Sequence, residues 1–363
     1  MIGTRRLRVL MMPDYRSGNP YQQLLGSALA PAGVEVVFPV GYRRGLPILR
    51  AVRDNAPIDL LHLHWTEAYT QGVSWFGCCI YWWKLLADLW LVRQFGVPIV
   101  WTLHNLLPHE CRWPGVERYF RRRLARGVSQ VIVHGRQSRD DAIGVLDCRP
   151  DRVTVAPHGH YRDVYPAATA AMRRESRDGL GEGHRIFLFF GFMRPYKGLE
   201  RLLRVWGRLN AANASLWLVG PCLDAAYESG LRNEAEKTRG VRIECGFVEP
   251  EKVSRVFAGA DIVVLPFERV QTSGSAILAL SFAKPVIAPR LGEVPETLGV
   301  ATDLLFEPGS DEALSAAIER GLQADLAELT TKSVQACQRL EWEPIGRLTA
   351  DVYHTATVTE PSA

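Results

Sequence analysis

The chain has 363 residues, of which 47% are hydrophobic, 23% charged and 9% aromatic, with a formal net charge of +4. This composition excludes a mostly disordered chain, a collagen-like chain and a coiled coil, and the length is enough for two domains. Seven cysteines without a C-x-x-C pair argue against zinc frameworks and disulfide scaffolds. No apolar signal core follows the basic N-terminus, so we expect a cytoplasmic protein.

Short apolar runs alternate with longer helical patterns along the whole chain. Runs of this length rich in Val, Ile and Leu, with helices between them, indicate buried parallel strands. The predicted fold is therefore α/β, with two Rossmann-like doubly wound domains facing a cleft. The predicted strands are Leu7–Met12, Val34–Pro39, Leu60–His64, Ile99–His104, Gln130–His134, Val153–Pro157, Ile186–Phe190, Ala214–Val219, Arg242–Cys245, Ile262–Pro266, Pro285–Ala288 and Asp303–Phe306.

A stretch rich in Pro, Ala and Gly, Tyr161–His184, separates the two series of strands and is typical of a linker with one short helix. We place an N-terminal domain at 1–165, a C-terminal domain at 166–340, and a last helix with its tail at 341–363. The first 165 residues carry a net charge of +8 and the remainder −4. This asymmetry favours an anionic partner for the first domain, with chance surface composition as the alternative.

The most informative motif follows the first strand of the second half. Gly191-Phe192-Met193-Arg194-Pro195-Tyr196-Lys197-Gly198 leads into a predicted helix. A helix N-terminus attracts anions, and a guanidinium beside an ammonium suits the oxygens of a diphosphate. The spacing is neither that of a P-loop nor G-x-G-x-x-G. A plain loop with solvated Arg194 and Lys197 is the alternative.

A second motif, Thr272-Ser273-Gly274-Ser275, precedes an apolar helix. Small hydroxyl residues with a glycine at a helix start offer free backbone N–H groups, which predicts a phosphate or sugar contact. An ordinary helix cap is the alternative.

Together with Leu218-Val219-Gly220-Pro221, Gly246-Phe247-Val248, Ala260–Pro266 and Lys284–Ala288, these motifs resemble the C-terminal domain of GT-B glycosyltransferases of the family-4 type. The resemblance covers residues 185–300 in order and spacing, and the first half more loosely. It implies that the second domain binds a nucleotide diphosphate sugar and that the last helix crosses back onto the first domain. The implied donor-binding residues are Arg194, Lys197, Gly220, Gly246, Val248, Ser273, Gly274, Ser275 and Glu296, with Glu249 as a weaker ribose contact.

One departure from the family pattern concerns two carboxylates that retaining members carry before the last motif. The corresponding positions hold Val270 and Leu278, while Glu268 lies two residues early. This departure argues against the usual ribose contact and against a retaining reaction. The variant is similar to bacterial transferases of exopolysaccharide assembly, some of which are inverting β-mannosyltransferases that use GDP-mannose.

Polar residues at or after the ends of strands of the first half are candidates for the acceptor side. Asn19, Tyr21, His64, Trp65 and Asn105 are predicted acceptor-binding residues. Turn formation at Asn19, a core-covering Tyr21 and structurally satisfied His62 and His64 are the alternatives. An inverting transfer needs a base on the acceptor hydroxyl, and the predicted catalytic residues are His104, Glu110 and Glu67, with Asp14 as a further candidate and a helix cap as the alternative for Glu110.

The segment Trp75–Trp90 is unusually aromatic but too polar and short for a convincing membrane span. Arginines at 118, 121, 122, 123 and 126 form a predicted basic cluster downstream. Aromatic and basic residues in one domain favour peripheral contact with an anionic membrane through residues 73–126, at the inner face of the cytoplasmic membrane. A core helix beside a solvated helix is the alternative.

The leading hypothesis is a metal-independent glycosyltransferase without a cofactor, which moves a hexose from GDP-mannose or a UDP-sugar to a glycan or lipid-linked saccharide in bacterial polysaccharide or glycolipid synthesis. A non-catalytic nucleotide- or glycan-binding protein on the same fold is the second hypothesis. A dinucleotide-dependent oxidoreductase ranks lower because its fingerprint is missing, and the modest charge argues against nucleic acid.

Overall fold

A computed structural model describes residues 5–42, 44–70, 72, 74–108, 111–209 and 211–358. The chain divides into two compact units. Unit 1 comprises Met1–Gly159 and Glu341–Ala363, and unit 2 comprises His160–Leu340. Each unit holds a six-stranded sheet in which every pairing is parallel. The predicted pair of Rossmann-like sheets is therefore confirmed.

The sheet of unit 1 has the strand order β2-β1-β3-β4-β5-β6. Its strands are β1 (Leu7–Met12), β2 (Val34–Val37), β3 (Leu60–Leu63), β4 (Ile99–Thr102), β5 (Gln130–Val133) and β6 (Val153–Val155). Its helices are α1 (Tyr21–Leu29), α2 (Pro47–Asp54), α3 (Glu67–Thr70), α4 (Trp75–Gln94), α5 (Pro114–Gly127), α6 (Arg136–Leu146) and the last helix of the chain, α15 (Trp342–Val358).

Alternate residues of each strand in unit 1 enter two different cores, because successive side chains of a strand point to opposite faces. Leu10 and Met12 pack with residues of α2, α4, α5 and α6. Val9 and Met11 pack with residues of α1 and α15 on the other face. Helices thus cover both faces of the sheet, which explains why the strand sequences are continuous apolar runs.

Helix α4 is fixed to its neighbours by polar groups at two points. The Ser74 hydroxyl accepts a hydrogen bond from the backbone N–H of Gly77 and caps the helix. The buried carboxylate of Asp88 accepts the backbone N–H groups of Ile48 and Leu49 at 2.8 and 2.9 Å, at the start of α2. Burial raises the pKa of Asp88, and these two N–H groups oppose the rise. Among the described residues, no helix combines the length and apolar character needed to cross a bilayer.

The sheet of unit 2 has the strand order β12-β11-β10-β7-β8-β9. Its strands are β7 (Arg185–Phe190), β8 (Ala214–Gly220), β9 (Val241–Cys245), β10 (Ile262–Val264), β11 (Val286–Pro289) and β12 (Leu305–Phe306). Its helices are α7 (Ala170–Ser176), α8 (Leu199–Arg208), α9 (Ala225–Glu236), α10 (Pro250–Gly259), α11 (Gly274–Ser281), α12 (Val294–Leu298), α13 (Asp311–Gln323) and α14 (Leu326–Gln338).

The short helix expected in the linker is α7, and it is tied to the sheet of unit 2. Arg173 and Arg177 donate to the two carboxylate oxygens of Asp261 at 2.6 and 2.8 Å. Asp261 also accepts the backbone N–H of Ile186 in β7 at 2.8 Å. The arginines hold the pKa of Asp261 below its usual range although burial acts in the opposite direction. Asp261, part of the Ala260–Pro266 motif, therefore has a structural role.

The last helix of the chain packs in unit 1, as the resemblance implied. Its Tyr353 hydroxyl lies 2.6 Å from Nδ1 of His62 in β3. A Cβ atom placed on Gly346 would lie 2.4 Å from the carbonyl oxygen of Ala28 in α1. Because no side chain fits in that space, the two helices contact each other through backbone.

This contact predicts opposite effects for two Gly→Ala changes in helices. Gly346→Ala should lower the free energy of unfolding by about 2 kcal/mol, because the new methyl group meets backbone. The matched Gly144→Ala in α6 has open space around it and should raise stability by about 0.5–1 kcal/mol. Urea denaturation followed by circular dichroism measures both. Stabilisation by both changes would contradict the close approach of α1 and α15.

Candidate functional site

Four neighbouring strands of unit 1 are each followed by a histidine. His64 directly follows β3, His104 lies two residues beyond β4, His134 directly follows β5, and His158 lies three residues beyond β6. The four residues, here called the histidine row, lie at the carboxyl edge of the sheet, where ligands bind in open α/β folds. His104 is partly exposed and the other three are buried.

Hydrogen bonds join three members of the histidine row into a directional chain. Nδ1 of His134 lies 3.0 Å from the carbonyl oxygen of Ala156, so this nitrogen carries the hydrogen. In the neutral ring, Nε2 of His134 then accepts from Nδ1 of His104 at 3.2 Å. Nε2 of His104 in turn accepts from Nδ1 of His64 at 3.1 Å. The chain ends at Nε2 of His64, a buried acceptor without a hydrogen-bond partner among the described residues.

Burial keeps His64, His104 and His158 neutral near pH 7. Loss of hydration is the main cause that lowers the pKa of His158 to about 3, and neighbouring histidines add to the effect. The pKa values of His64 and His104 are lowered well below the usual range for the same two reasons. The tautomer assignment above therefore applies to the neutral state.

Aromatic rings surround the histidine row. The Trp65 ring stacks on His104 with centroids 4.2 Å apart and an angle of 10° between the planes. The Tyr21 ring is 3% exposed, and its centroid lies 4.6 Å from that of His158 and 5.3 Å from that of His104. The structure therefore brings together the predicted residues Tyr21, His64, Trp65 and His104. Tyr21 fills the interior of this cluster, as the alternative interpretation expected.

A buried guanidinium connects two other predicted residues. Arg121 donates to the carboxylate of Glu67 at 2.7 Å and to the carbonyl oxygen of Asn105 at 3.1 Å. It also pairs with the buried Glu117 in its own helix at 3.2 Å. Arg121 is 2% exposed, so its predicted membership of a surface basic cluster is wrong. Its charge is used inside unit 1.

The remaining predicted residues of unit 1 have local partners or lie elsewhere. The Asn19 side-chain oxygen accepts the backbone N–H of Tyr21 at 3.0 Å and so helps to start α1. Asp14 pairs with Arg16 at 2.9 Å, which holds the pKa of this carboxyl below its usual range. His62 contacts Thr102 at 2.7 Å in addition to Tyr353, as expected of a structural histidine. Glu110 lies outside the described residues.

Strand ends also converge in unit 2. A Cβ atom on Gly220, at the end of β8, would lie 2.2 Å from the carbonyl oxygen of Gly191, which follows β7. A Cβ atom on Gly191 would lie 2.9 Å from the Ser275 hydroxyl in α11. The backbone N–H of Gly246, which follows β9, donates to Gly220. Three predicted donor-binding residues, Gly220, Gly246 and Ser275, therefore lie close to Gly191 at one place, here called the glycine edge.

The cations of the first motif lie in the loop between Gly191 and α8. Gly198 ends this loop with a φ of +73°, and a Cβ there would lie 2.2 Å from the carbonyl oxygen of Pro266. Lys197 is half-buried, with Nζ 4.3 Å from the centroid of the Phe267 ring. It makes no ion pair with a described carboxylate. Burial lowers the pKa of Lys197 to about 8, as expected of an ammonium group without an anion.

The second motif caps a helix and also reaches the glycine edge. The Ser273 hydroxyl accepts the backbone N–H of Ala276 at 3.1 Å, which is the ordinary capping role. Gly274 is exposed and Ser275 half-buried, so both retain surface at the start of α11. The exposed Gly246 and the half-buried Val248 lie in the loop after β9, and Glu249 precedes α10. Glu296 lies in the first turn of α12.

A carboxylate that the sequence did not single out lies beside the second motif. Glu293 is 2% exposed, and one of its oxygens accepts the Thr272 hydroxyl. The other oxygen has no partner among the described residues. A Cβ on the preceding Gly292 would lie 2.4 Å from the carbonyl oxygen of Val270. Glu293 therefore directly follows Gly292, which lies against Val270. Val270 occupies one of the two positions at which retaining family members have a glutamate.

Comparison with known proteins decides the family. The profile described as Glycosyltransferase Family 4 matches residues 14–164, and the one described as Glycosyl transferases group 1 matches residues 184–324. A GDP-mannose:glycolipid 4-beta-D-mannosyltransferase of Xanthomonas campestris pv. campestris is 30% identical over 306 residues, 80% of this chain and 78% of that protein. The chain belongs to the GT-B glycosyltransferases of the family-4 type.

Solved structures agree with this family at the level of the fold. Sucrose-phosphate synthase from Thermosynechococcus elongatus is similar with a TM-score of 0.74 and 19% identity, over 96% of this chain and 98% of that one. Anabaena Alr3699/HepE in complex with UDP and glucose has a TM-score of 0.70 and 18% identity, over 95% and 99%. The protein is thus a glycosyltransferase with the GT-B fold, and the oxidoreductase hypothesis is dropped.

Several residues of the site could not be found from the sequence pattern. His134 and His158 each follow a short strand, and only the strand order brings them to His104. Glu117, four residues before Arg121, could have indicated the helical ion pair that removes this arginine from the surface.

Among the described residues, no group of three or more His, Cys, Asp or Glu side chains is arranged to hold a metal ion.

The buried histidines predict a loss of stability on mild acidification. The pKa values of His62 and His158 are about 3 in the folded chain and 6.5 in the unfolded chain. The unfolded chain therefore binds more protons below pH 6.5, and the free energy of unfolding should fall by about 1.4 kcal/mol per pH unit for each such histidine. Urea denaturation between pH 7 and 5 measures this slope.

A matched pair of variants identifies the source of the slope. His62→Asn should reduce it, whereas the same change at the exposed His354 should leave it unchanged. An equal slope in wild type and His62→Asn would contradict a neutral buried His62.

Lys197 predicts a pH dependence of anion binding. A diphosphate prefers the protonated ammonium, and the pKa of Lys197 is about 8 in the chain without an anion. Affinity for UDP should therefore be constant below pH 8 and fall by up to about tenfold per pH unit above it. Isothermal titration calorimetry between pH 7 and 9.5 measures the affinity. Lys197→Arg should abolish the fall, because arginine stays charged; an unchanged profile would exclude Lys197 as its cause.

Proposed function

We propose that this glycosyltransferase moves a hexose from a nucleotide diphosphate sugar, GDP-mannose or a UDP-sugar, to a lipid-linked saccharide or another glycan in bacterial polysaccharide or glycolipid synthesis. The observation that carries the donor half is the glycine edge with Arg194 and Lys197 in the adjoining loop. The name of the Xanthomonas relative supports GDP-mannose and a glycolipid acceptor. The Anabaena complex supports a UDP-sugar.

In the proposed reaction, an acceptor hydroxyl oxygen forms a bond to the anomeric carbon of the hexose. The bond from that carbon to the diphosphate oxygen breaks, and the nucleoside diphosphate leaves with the electron pair. Arg194 and Lys197, together with the N-terminus of α11, would stabilise the negative charge of this leaving group. Because these groups supply positive charge, we propose that the reaction uses neither a metal ion nor a cofactor.

The acceptor proton needs a base, and we propose Glu67 ahead of His104. Both ring nitrogens of His104 are used in the chain of the histidine row, so proton uptake there would break a hydrogen bond. Glu67 is paired with Arg121 and remains 27% exposed, which leaves a second carboxylate oxygen for the acceptor. Glu110 stays a prediction. His104 and Trp65 would then contact the sugars, with Asn19, Tyr21, His64 and Asn105 shaping the acceptor side.

We further propose that Glu293 replaces one of the two family carboxylates that Val270 and Leu278 lack. Its oxygen that has no partner among the described residues would accept a hydrogen bond from a hydroxyl group of the donor. Gly220, Gly246 and Val248 would line the base and phosphates. Ser273, Gly274 and Ser275 would contact phosphate and sugar, and Glu296 would contact the ribose or hold the loop.

We propose that the protein acts at the inner face of the cytoplasmic membrane, in peripheral contact through residues 73–126. A lipid-linked acceptor would be reached there. The exposed aromatic and basic side chains of this segment support the contact.

Binding of nucleotides tests the donor half. Thermal unfolding is measured with UDP, GDP, ADP and their sugar conjugates, on wild type and on Arg194→Ala/Lys197→Ala. One diphosphate at a hundred times its Kd should stabilise the wild type by about 2.7 kcal/mol and the variant far less. The control Arg208→Ala/Lys237→Ala removes two exposed cations of unit 2 and should retain full stabilisation.

Transfer is then assayed with the sugar conjugate of the stabilising base and a bacterial lipid extract as acceptor. A labelled glycolipid supports the proposal, and Glu67→Gln should lower its formation by about a hundredfold with little change in donor binding. Stabilisation by no nucleotide in a folded sample would overturn the proposed donor site.

A further inference from the structure

Helix α4 exposes a continuous apolar stripe. One face packs into unit 1 through Cys78, Trp82, Leu85, Leu89 and Val92. The other exposes Phe76, Ile80, Trp83 and Trp90, which are 73%, 54%, 53% and 57% accessible. These four are spaced by four, three and seven residues, so they share one face. A helix that is apolar all round is normally buried all round, and a contiguous exposed patch marks an interaction site.

The charged side chains that α4 and α5 expose are all cations. The carboxylates within α4 and α5 belong to Asp88 and Glu117, and both are buried with internal partners. Lys84, Arg93, Arg118 and Arg123 lie on the surface or half-buried and form no ion pair with a described carboxylate. Arg122 and Arg126 both pair with a surface carboxylate, that of Asp147. The two helices therefore present an apolar and cationic surface.

A groove of about 180 Å³ lies between α4 and α5 within this surface. Its walls are mainly apolar, and Trp83, Trp90, Arg93 and Arg123 are among the residues that line it. Arg123 is oriented by the Tyr119 hydroxyl at 3.1 Å. A Cβ on Gly127 would lie 4.0 Å from Nη1 of Arg93, so the Arg93 side chain reaches the end of α5.

We propose that this groove binds an anionic phospholipid of the membrane, with Arg93 and Arg123 on its phosphate and the first part of an acyl chain between Trp83 and Trp90. The stripe Phe76–Trp90 then lies in the interfacial layer of the bilayer, where indole rings are favoured. Guanidinium groups suit phosphate oxygens geometrically, and unpaired cations attract an anionic surface. The inference rests on the proposed membrane contact and deepens it by naming the lipid class and its site.

A bilayer lipid fits these observations better than an acidic protein segment. An acidic segment would pair with the cations, but a mainly apolar groove that two tryptophans line suits a hydrocarbon chain. The stripe covers 15 residues of helix, and its first and last residues lie about 21 Å apart along the axis, which suits a helix lying parallel to a bilayer surface.

Flotation of the full chain with lipid vesicles tests the proposal. Vesicles of phosphatidylcholine are compared with vesicles that contain 30 mol% phosphatidylglycerol. The wild type should bind the anionic vesicles at least tenfold more tightly. Arg93→Gln/Arg123→Gln should lose most of this preference. The control Arg118→Gln/Arg126→Gln removes two cations outside the groove, and its loss of affinity should be at least tenfold smaller. An equal loss of vesicle affinity in both double variants would overturn the groove as the lipid site and would indicate a diffuse electrostatic contact instead.

Two further measurements separate the groove from the contact and from sugar transfer. Phe76→Ser/Ile80→Ser, at exposed positions that allow folding, should weaken binding to both kinds of vesicle. Quenching of tryptophan fluorescence by bromine-labelled acyl chains should fall in Trp90→Phe. Absence of binding to any vesicle by a folded sample that still binds nucleotide would overturn the lipid proposal, assign the surface to a protein partner and leave the donor site standing.

Discussion

Every strand pairing in both sheets is parallel, and this constraint determines where the chemistry of the molecule lies. In a parallel sheet, all strands end at the same edge, so the residues that follow neighbouring strands meet. The histidine row of unit 1 and the glycine edge of unit 2 are both consequences of this geometry. The residues of each set are far apart in sequence, and the strand order brings them together.

The two edges differ in electrostatics because their side chains differ. At the edge of unit 1, large rings exclude water, so His64, His104 and His158 stay neutral. Hydrogen bonds then run in one direction from His64 through His104 and His134 to the Ala156 carbonyl oxygen. At the edge of unit 2, glycines allow backbone segments to lie close together, and Lys197 forms no ion pair with any described carboxylate. The first arrangement suits the orientation of hydroxyl groups, and the second suits an anionic group that needs room and positive charge.

The sequence was sufficient to predict the twelve strands, because buried parallel strands leave short aliphatic runs that helices separate. It also predicted that His64 and His104 lie at the ends of strands and that Tyr21 and Trp65 follow strands. It could not predict that Arg121 is buried. An arginine is expected at the surface unless carboxylate partners are known, and only the fold brings Glu67 and Glu117 to the Arg121 guanidinium. Glu293 was missed for a similar reason. It contacts Thr272, which lies 21 residues earlier in the sequence, and no local sequence pattern indicates this contact.

The return of α15 to unit 1 has a consequence for synthesis of the chain on the ribosome. Ile345, Val352 and Tyr353 complete one of the two cores of unit 1, yet they are translated after all of unit 2. At usual elongation rates, about 10 to 40 s separate the emergence of Gly159 from that of α15. During that interval, Val9, Met11 and Leu25 lack part of their apolar cover. The nascent chain therefore exposes a binding surface for chaperones that the finished protein does not have.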